Sequence, residues 1–315
     1  MKVLVLGAGG FLGSHVVTAL LIRGHSVSAL TRSQPRDPAL LNHPGVVWHF
    51  GDYTDGAVLD RARADCPVII HLASSSAPAL SNQNPLRDLD EGVTATIRLL
   101  ERVKTGSTRR IIFVSSGGTV YGSQQQMPIS EDAPTNPICA YGVSRLAIEK
   151  YLLLYRHLYG LDAVILRVSN PFGEFQVNSR QQGVIAAFSR ALLEGRPLTI
   201  WGNGTVIRDY VYAGDVAEAL VLAAEATAPT ETVLNIGSGV GRSLLEVLDG
   251  FRHLTGQIIT PSFQPARTGD VAEVVLDIRR AVRVLDWCPK VSWHDALNRA
   301  WRWHGQNLMN NRGLG

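Results

Sequence analysis

Apolar residues follow two rhythms along the first half of the chain. Short runs (KVLVLG, SVSAL, VVWHF, PVIIHLA, RRIIFVSS and DAVILRVS) alternate with longer amphipathic stretches. The stretches are FLGSHVVTALLIRG, a segment around Leu59 to Ala64, one from about Pro85 to Lys104, and one from about Tyr141 to Tyr159. Brief apolar runs between helical segments are the mark of strands buried on both faces, and they predict a parallel sheet covered by helices. The fold class is therefore α/β, a doubly wound (Rossmann) sheet.

After about Asn170 the rhythm changes. A helix near Gln182 to Glu194, a short strand in PLTIWG, a helix from Asp215, the run LNIGSG and two or three further helices complete the chain. Irregular links from Phe172 to Arg180 and from Pro261 to Asp270 suit a smaller α/β domain lying over a cleft. The pattern predicts a first domain over residues 1–170 and a second over 171–315, with segments such as 209–228 packing back on the first.

GAGGFLG sets Gly7, Gly10 and Gly13 between the first strand and the first helix, with Phe11 and Leu12 opening the helix. Glycines there allow a tight turn, bring backbone amides against a pyrophosphate and seat the helix close to the sheet. A dinucleotide is the expected ligand, so the first domain is read as dinucleotide-binding. Where an acid commonly holds the ribose of NAD, the second strand ends in Thr31 and Arg32. An arginine can pair with a 2′-phosphate, so the cofactor is NAD or NADP with a lean to NADP. Asp52 and Tyr53 are placed to meet the adenine, and Leu72, Ala73 and Ser74 to pass under the pyrophosphate or ribose.

Composition narrows the function classes. Hydrophobic residues make up 45% of 315, enough for a substantial core, while charged residues are only 18% with a net charge of +3. That balance argues against nucleic acid as a partner and suits small acidic substrates. Cys66, Cys139 and Cys288 are far apart and form no CxxC pair, which fits a reducing cytoplasm. Glycines interrupt the apolar start MKVLVLGAGG, and no apolar run approaches about 18 residues, so neither export nor a membrane span is expected. Nine histidines lack HxxxH or HxH spacing, so no metal site is expected, and no GxSxG elbow occurs. Trp287, Trp293, Trp301 and Trp303 are assigned to packing of the C-terminal helices.

With the glycine loop, the motifs SSGGTVYG at 115–122, YGVSR at 141–145, LRVSNPFG at 166–173, RDYVY at 208–212 and PARTGD at 265–270 run in order over nearly the whole chain. In these the sequence resembles the extended short-chain dehydrogenase/reductases, the NAD-dependent epimerase/dehydratase family, most of all their nucleotide-sugar epimerases. The resemblance implies a nucleoside-diphosphate sugar as substrate partner, epimerised at C4 through a transient 4-keto sugar with Tyr141 as acid/base. It implies that Asn170 meets the sugar or its diphosphate, that Arg208 and Arg267 face the diphosphate, and that Asp270 reaches the nucleoside ribose. Paired arginines on irregular segments independently suit phosphates, which they bind through forked hydrogen bonds. Relatives often dimerise through their two long helices, here placing Leu152, Leu153, Leu154 and Tyr155 on a homodimer face.

The proton-transfer set departs from the family pattern. Lysine commonly stands where this chain has Arg145, serine or threonine where it has Gly117, and asparagine where it has Gly92. Bringing a phenol of pKa about 10 to near 7 takes about 4 kcal/mol of selective stabilisation of its anion. A unit charge about 4 Å away at an effective dielectric near 20 is worth about that much, so arginine can supply it. The expectation is a repacked site: Arg145 fills space vacated at Gly92, and Thr119 offers its hydroxyl from an extended strand, with Ser116 as second choice. A 4,6-dehydratase would carry an Asp-Glu pair where Gly118 and Thr119 stand. An NADPH-dependent 4-keto-sugar reductase and a weakly catalytic nucleotide-sugar-binding protein remain the alternatives.

Overall fold

The computed structural model describes residues 1–74, 78–177, 183–227, 231–266 and 271–312. The first part of the chain supplies strands β1 (Lys2–Leu6), β2 (Ser26–Thr31), β3 (Val46–Phe50), β4 (Val68–His71), β5 (Arg110–Ser116) and β6 (Asp162–Val168). Between them lie helices α1 (Phe11–Ile22), α2 (Gly56–Ala62), α3 (Pro78–Ser81), α4 (Pro85–Asp88), α5 (Ala95–Val103) and α6 (Ala140–Tyr159). The later strands are β7 (Asn170–Phe172), β8 (Thr199–Trp201), β9 (Ile207–Tyr212), β10 (Val233–Ile236), β11 (Gly241–Ser243), β12 (Ser262–Gln264) and β13 (Glu273–Val274). They accompany α7 (Val184–Leu193), α8 (Ala213–Glu225), α9 (Leu244–Thr255), α10 (Arg279–Leu285) and α11 (Trp293–Arg312).

Seven parallel strands form the main sheet in the order β10-β6-β5-β4-β1-β2-β3. Alternation divides each buried strand between two cores. Val3 and Val5 face the side covered by α1 and α8, whereas Leu4 and Leu6 face α2, α5 and α6. The order reverses between β1 and β4, which opens a crevice at the carboxyl ends of the strands.

Two helices differ from expectation for local reasons. The one read around Leu59 starts at Gly56, because the Asp55 carboxylate accepts from the amides of Ala57 and Val58 at 2.9 and 3.3 Å. The long helix read from Pro85 is α4, a π-helical turn over Leu89–Thr94 containing Gly92, and α5. A π-helical turn carries one extra residue, and such turns recur at functional sites.

β9 is the centre of a second, four-stranded sheet with β7, β11 and β13, while β8 and β12 pair apart. Phe172, Phe188, Phe251, Val247 and Leu297 fill the core beneath it. The chain nevertheless returns to the first sheet after residue 170. Helix α8 packs on α1, and β10 pairs in register with β6, Val233 opposite Ile165. Arg110 on β5 secures this return. Its Nε donates to Asp162 at 2.6 Å, and its Nη1 donates to the carbonyls of Ala223 (3.0 Å), Ala224 (3.3 Å) and Ala226 at the end of α8.

A guanidinium that neutralises both a carboxylate and a helix C-terminus serves two stabilising functions at once. Arg110→Met is expected to lower the unfolding free energy by about 2–3 kcal/mol. A urea midpoint that falls at unchanged slope would report it.

Candidate functional site

The crevice is a cleft of about 1210 Å³ running from the glycine loop to the second sheet. Gly7 has φ +85°, and a Cβ there would approach the Ala73 amide nitrogen to 3.0 Å. A Cβ on Gly13 would lie 2.3 and 2.4 Å from the carbonyls of Gly7 and Ala8, so only glycine seats α1 this close to β1. With no acidic residue in its first turn, the amino end of α1 presents an unopposed positive dipole to the cleft. That cradle fits a dinucleotide pyrophosphate.

The other residues read for this end, Gly10, Phe11, Leu12, Arg32, Asp52, Tyr53, Leu72, Ala73 and Ser74, also line the cleft. Arg32 Nη1 lies 3.6 Å from Asp52, so the arginine that suggested a 2′-phosphate partner has a carboxylate beside it. Burial pushes the Tyr53 phenol up to about 12, and its hydroxyl donates to the Glu91 carbonyl at 3.4 Å.

Tyr141, Arg145, Ser116 and Thr119 line the same cleft. Helix α6 has no side-chain cap of its own at Cys139. Instead the amides of Ala140 and Tyr141 donate to Asn82 Oδ1 at 2.8 Å and Ser81 Oγ at 3.0 Å. The Arg145 guanidinium is buried and lies 4.7 Å from the Tyr141 ring centroid and 5.4 Å from that of Phe113. It donates to Ser74 Oγ at 2.5 Å and to the Val114 carbonyl at 3.4 Å. Among the described residues no carboxylate pairs with it.

This arrangement corrects the expected repacking. A Cβ on Gly92 would meet nothing within 4 Å, so the guanidinium leaves that space open as part of a cavity of about 10 Å³. Its bonds to Ser74 and Val114 hold it on the sheet side instead. Gly117 does not face the cleft: a Cβ there would lie 2.5 Å from Leu276 Cδ1 and 3.1 Å from the Arg167 carbonyl. Strand β5 ends at Ser116, and the amides of Thr119 and Val120 bond back to the Ser116 carbonyl at 3.2 and 3.1 Å. Thr119 therefore reaches the cleft wall on a turn rather than by strand alternation, and its buried Oγ1 has no partner.

At the second sheet, Asn170 on β7 and Arg208 on β9 line the cleft. Asn170 Nδ2 donates to the Asp209 carbonyl at 3.1 Å, and Arg208 Nη1 to the Ile207 carbonyl at 2.8 Å. Asp209 organises this region from below. Its buried carboxylate accepts from the Ser238 amide and hydroxyl (both 2.7 Å) and from the amides of Gly239 and Leu276 (both 3.2 Å). Arg267 and Asp270 lie outside the described residues. The face read from residues 152–155 is also corrected. At about 100° per residue these four cannot share one side of a helix, and Leu152 and Tyr155 are core while Leu154 is exposed.

Sequence reasoning missed Ser81 and Asn82, whose partners lie about sixty residues away with no local signal. It also missed Ser169 and Gln176, which line the cleft and carry buried, unpartnered oxygens, and His71 on β4. His71 Nε2 is 3.2 Å from Thr96 Oγ1, while burial and the Arg145 charge push its pKa down to about 3. Among the described residues no group of three or more His, Cys, Asp or Glu could hold a metal ion, and no helix is long and apolar enough to cross a membrane.

Known proteins share both sequence and fold. The model of the NAD dependent epimerase/dehydratase family matches residues 3–237. A UDP-glucose 4-epimerase of Mycolicibacterium smegmatis is 36% identical over 94% of this chain and 96% of its own. The crystal structure of Thermotoga maritima UDP-glucose 4-epimerase with UDP-glucose superposes with TM-score 0.91 at 31% identity, covering 98% of this chain and 100% of that one. A UDP-glucuronic acid 4-epimerase from Bacillus cereus, solved with UDP-glucuronic acid and NAD, has TM-score 0.88 at 27% identity over 98% and 100% of the two chains. It is NAD that this relative holds, so the lean to NADP drawn from Arg32 finds no support there.

Two buried histidines give the fold a pH dependence. Burial pushes His71 to about 3 and His304 to about 4, against 6.5 for a free imidazole. Both stay neutral in the fold, so their contribution is complete above pH 6.5. It is lost as acid lets the unfolded chain take up protons that the fold refuses. Stability should fall from about pH 6.5 towards 4 with a slope of up to about 1.4 kcal/mol per pH unit for each histidine. Urea unfolding of His71→Leu across that range should show a shallower slope than the parent.

Proposed function

Because the chain belongs to the NAD-dependent epimerase/dehydratase family, we propose that it is a nucleotide-sugar 4-epimerase that interconverts UDP-hexoses. The observation that carries this reading is the corner of the cleft where Tyr141 meets the buried guanidinium of Arg145, across from a glycine cradle fitted to a dinucleotide.

Gly7 to Gly13 and the amino end of α1 hold the pyrophosphate of NAD, with Asp52 and Tyr53 at the adenosine end and Leu72 to Ser74 beneath. When bound, the nicotinamide supplies reversible hydride acceptance. Tyr141 takes the proton from the sugar hydroxyl as acid/base and returns it to the epimer. Arg145 supplies the positive charge that stabilises the tyrosinate, in place of a lysine. Thr119, whose hydroxyl is buried and unpaired at the wall, turns about its χ1 to bond the same sugar oxygen, and Ser116 offers a second hydroxyl. Asn170, Arg208, Arg267 and Asp270 hold the diphosphate and ribose. The three free cysteines suit a cytoplasmic enzyme.

We also propose a homodimer through the face of α4, the π-helical turn and α6. Exposed Leu86, Leu89, Val143, Leu154 and Leu158 make that face apolar. Light scattering of the purified protein should give twice the chain mass, and Leu154→Glu should shift it towards the monomer.

For the reaction, NMR of the purified protein with UDP-sugars should show two epimers interconverting at constant NAD(P)H. Tyr141→Phe should lose about 10²–10⁴-fold in kcat while still binding UDP and NAD. Product formation strictly tied to NADPH consumption would make the protein a reductase instead, and binding without turnover would make it a sensor.

A further inference from the structure

Tyr141, Arg145 and Glu149 stand four residues apart on α6, so each is the neighbour of the next on one helical face. A buried arginine beside a buried glutamate at this spacing would ordinarily pair. Arg145 does not, and bonds Ser74 and Val114 instead. The reason lies in the partners Glu149 already has. Its Oε1 accepts from Ser115 Oγ at 2.5 Å, and both oxygens accept from Arg167, Oε2 from Nη2 at 2.7 Å and the two from Nε at 3.1 and 3.2 Å. Glu149 and Arg167 are 1% and 6% exposed, so neither charge is screened by water.

Arg167 is held in turn. Its Nη1 donates to Tyr121 Oη at 3.0 Å and to the Glu131 carbonyl at 3.3 Å, its guanidinium lies over the Tyr121 ring at 4.8 Å, and Tyr121 donates to Asn235 Oδ1 at 2.6 Å. The nearby acid on the other flank, Asp88, takes the Ser144 hydroxyl at 2.6 Å. His71, pushed down by burial and by Arg145, adds no positive charge of its own at neutral pH. Among the described residues, the other titratable or charged groups lining the cleft include Tyr53 after β3, Asp90 and Glu91 on the π-helical turn, Arg98 on α5, Cys139 before α6, Arg36 after β2 and Tyr210 on β9. Arg32 and Asp52 stand at the adenosine end and Arg208 at the substrate end.

We propose that Arg167 is a positioning residue for the reaction: by occupying Glu149 it keeps that carboxylate from pairing with Arg145, and so reserves the Arg145 charge for the tyrosinate of Tyr141. The inference rests on the epimerase reading for its purpose, and on the contacts above for its geometry. It adds a role for two residues that touch neither substrate nor cofactor. In Arg167→Met the released carboxylate turns to the next cation on its helix, Arg145. The anion of Tyr141 then loses its stabilising charge, and more hydroxide is needed to form it.

Two readouts test this, one independent of turnover. The first is phenolate absorbance against pH for each variant minus its Tyr141→Phe counterpart, without cofactor or sugar. The second is the acidic limb of kcat against pH. Arg167→Met should move both to higher pH by about one unit, a tenfold smaller tyrosinate fraction below the midpoint. Arg167→Lys, which keeps the pair, should stay with the parent. Glu149→Gln removes the competing carboxylate and should not move either readout upward, and Glu149→Gln/Arg167→Met should return both to the parent position. The proposal is overturned if Arg167→Met titrates like the parent, if Glu149→Gln shifts upward with it, or if the double variant fails to restore the parent curve. If Arg167→Met does not fold, Arg167→Gln, which also removes the charge, carries the same test, and an upward shift in Glu149→Gln still overturns the proposal. An absorbance shift without any turnover in the parent would leave this charge arrangement standing and reject the epimerase reading alone.

Discussion

The cleft depends on where one helix is held. Helix α6 carries Tyr141 and Arg145, and a free helix end leaves amides without partners and frays. Here the first turn is fixed from outside by Asn82 and Ser81, the next by Ser144 on Asp88, and the one beyond by Glu149 on Ser115 and Arg167. Each tie reaches a different place: the end of α3 and the residue after it, the last residue of α4, and the ends of β5 and β6. A rod pinned at three levels cannot slide or roll, and the phenol at its end keeps its place relative to the sheet.

What the sequence made legible was what local physics controls. Strands buried on two faces show as short apolar runs, and the glycine cradle shows because Gly7 needs a positive φ and Gly13 tolerates no side chain. The cleft-lining motifs were readable for the same reason, each being a contiguous stretch. The ties across sixty residues were not, since nothing near Asn82 or Ser81 marks their distant partners. Nor was the turn at 117–120, where a strand argument assigned Thr119 to a face that the chain reaches by bending. Helical phase explains the misread face at 152–155: leucines adjacent in sequence diverge around the helix, so Leu152 is core and Leu154 is not.

Charges were legible singly and misleading singly. Arg32 at the end of β2 suggested a phosphate partner, yet the neighbouring parallel strand delivers Asp52 to within 3.6 Å of it. Asp209 lies inside a motif read for its arginine, but its carboxylate gathers the backbone of residues 238, 239 and 276 around β9. In both cases the meaning of a charged side chain is set by a partner that the fold, rather than the spacing, brings to it.

Gly117 and Leu276 lie so close that their identities are not independent. The leucine side chain occupies the volume that any side chain at 117 would need, and the Arg167 carbonyl closes the other side. Serine or threonine at 117 would require the Leu276 side chain to swing aside or be replaced by a smaller one, and losing the leucine alone would open a void in the small core of Val120, Tyr121, Ile129 and Val274. The two positions form a lock with two keys. The route by which this chain can exchange one hydroxyl arrangement for another passes through Leu276, just beyond β13 and bridged to Ile129, behind the cleft lining.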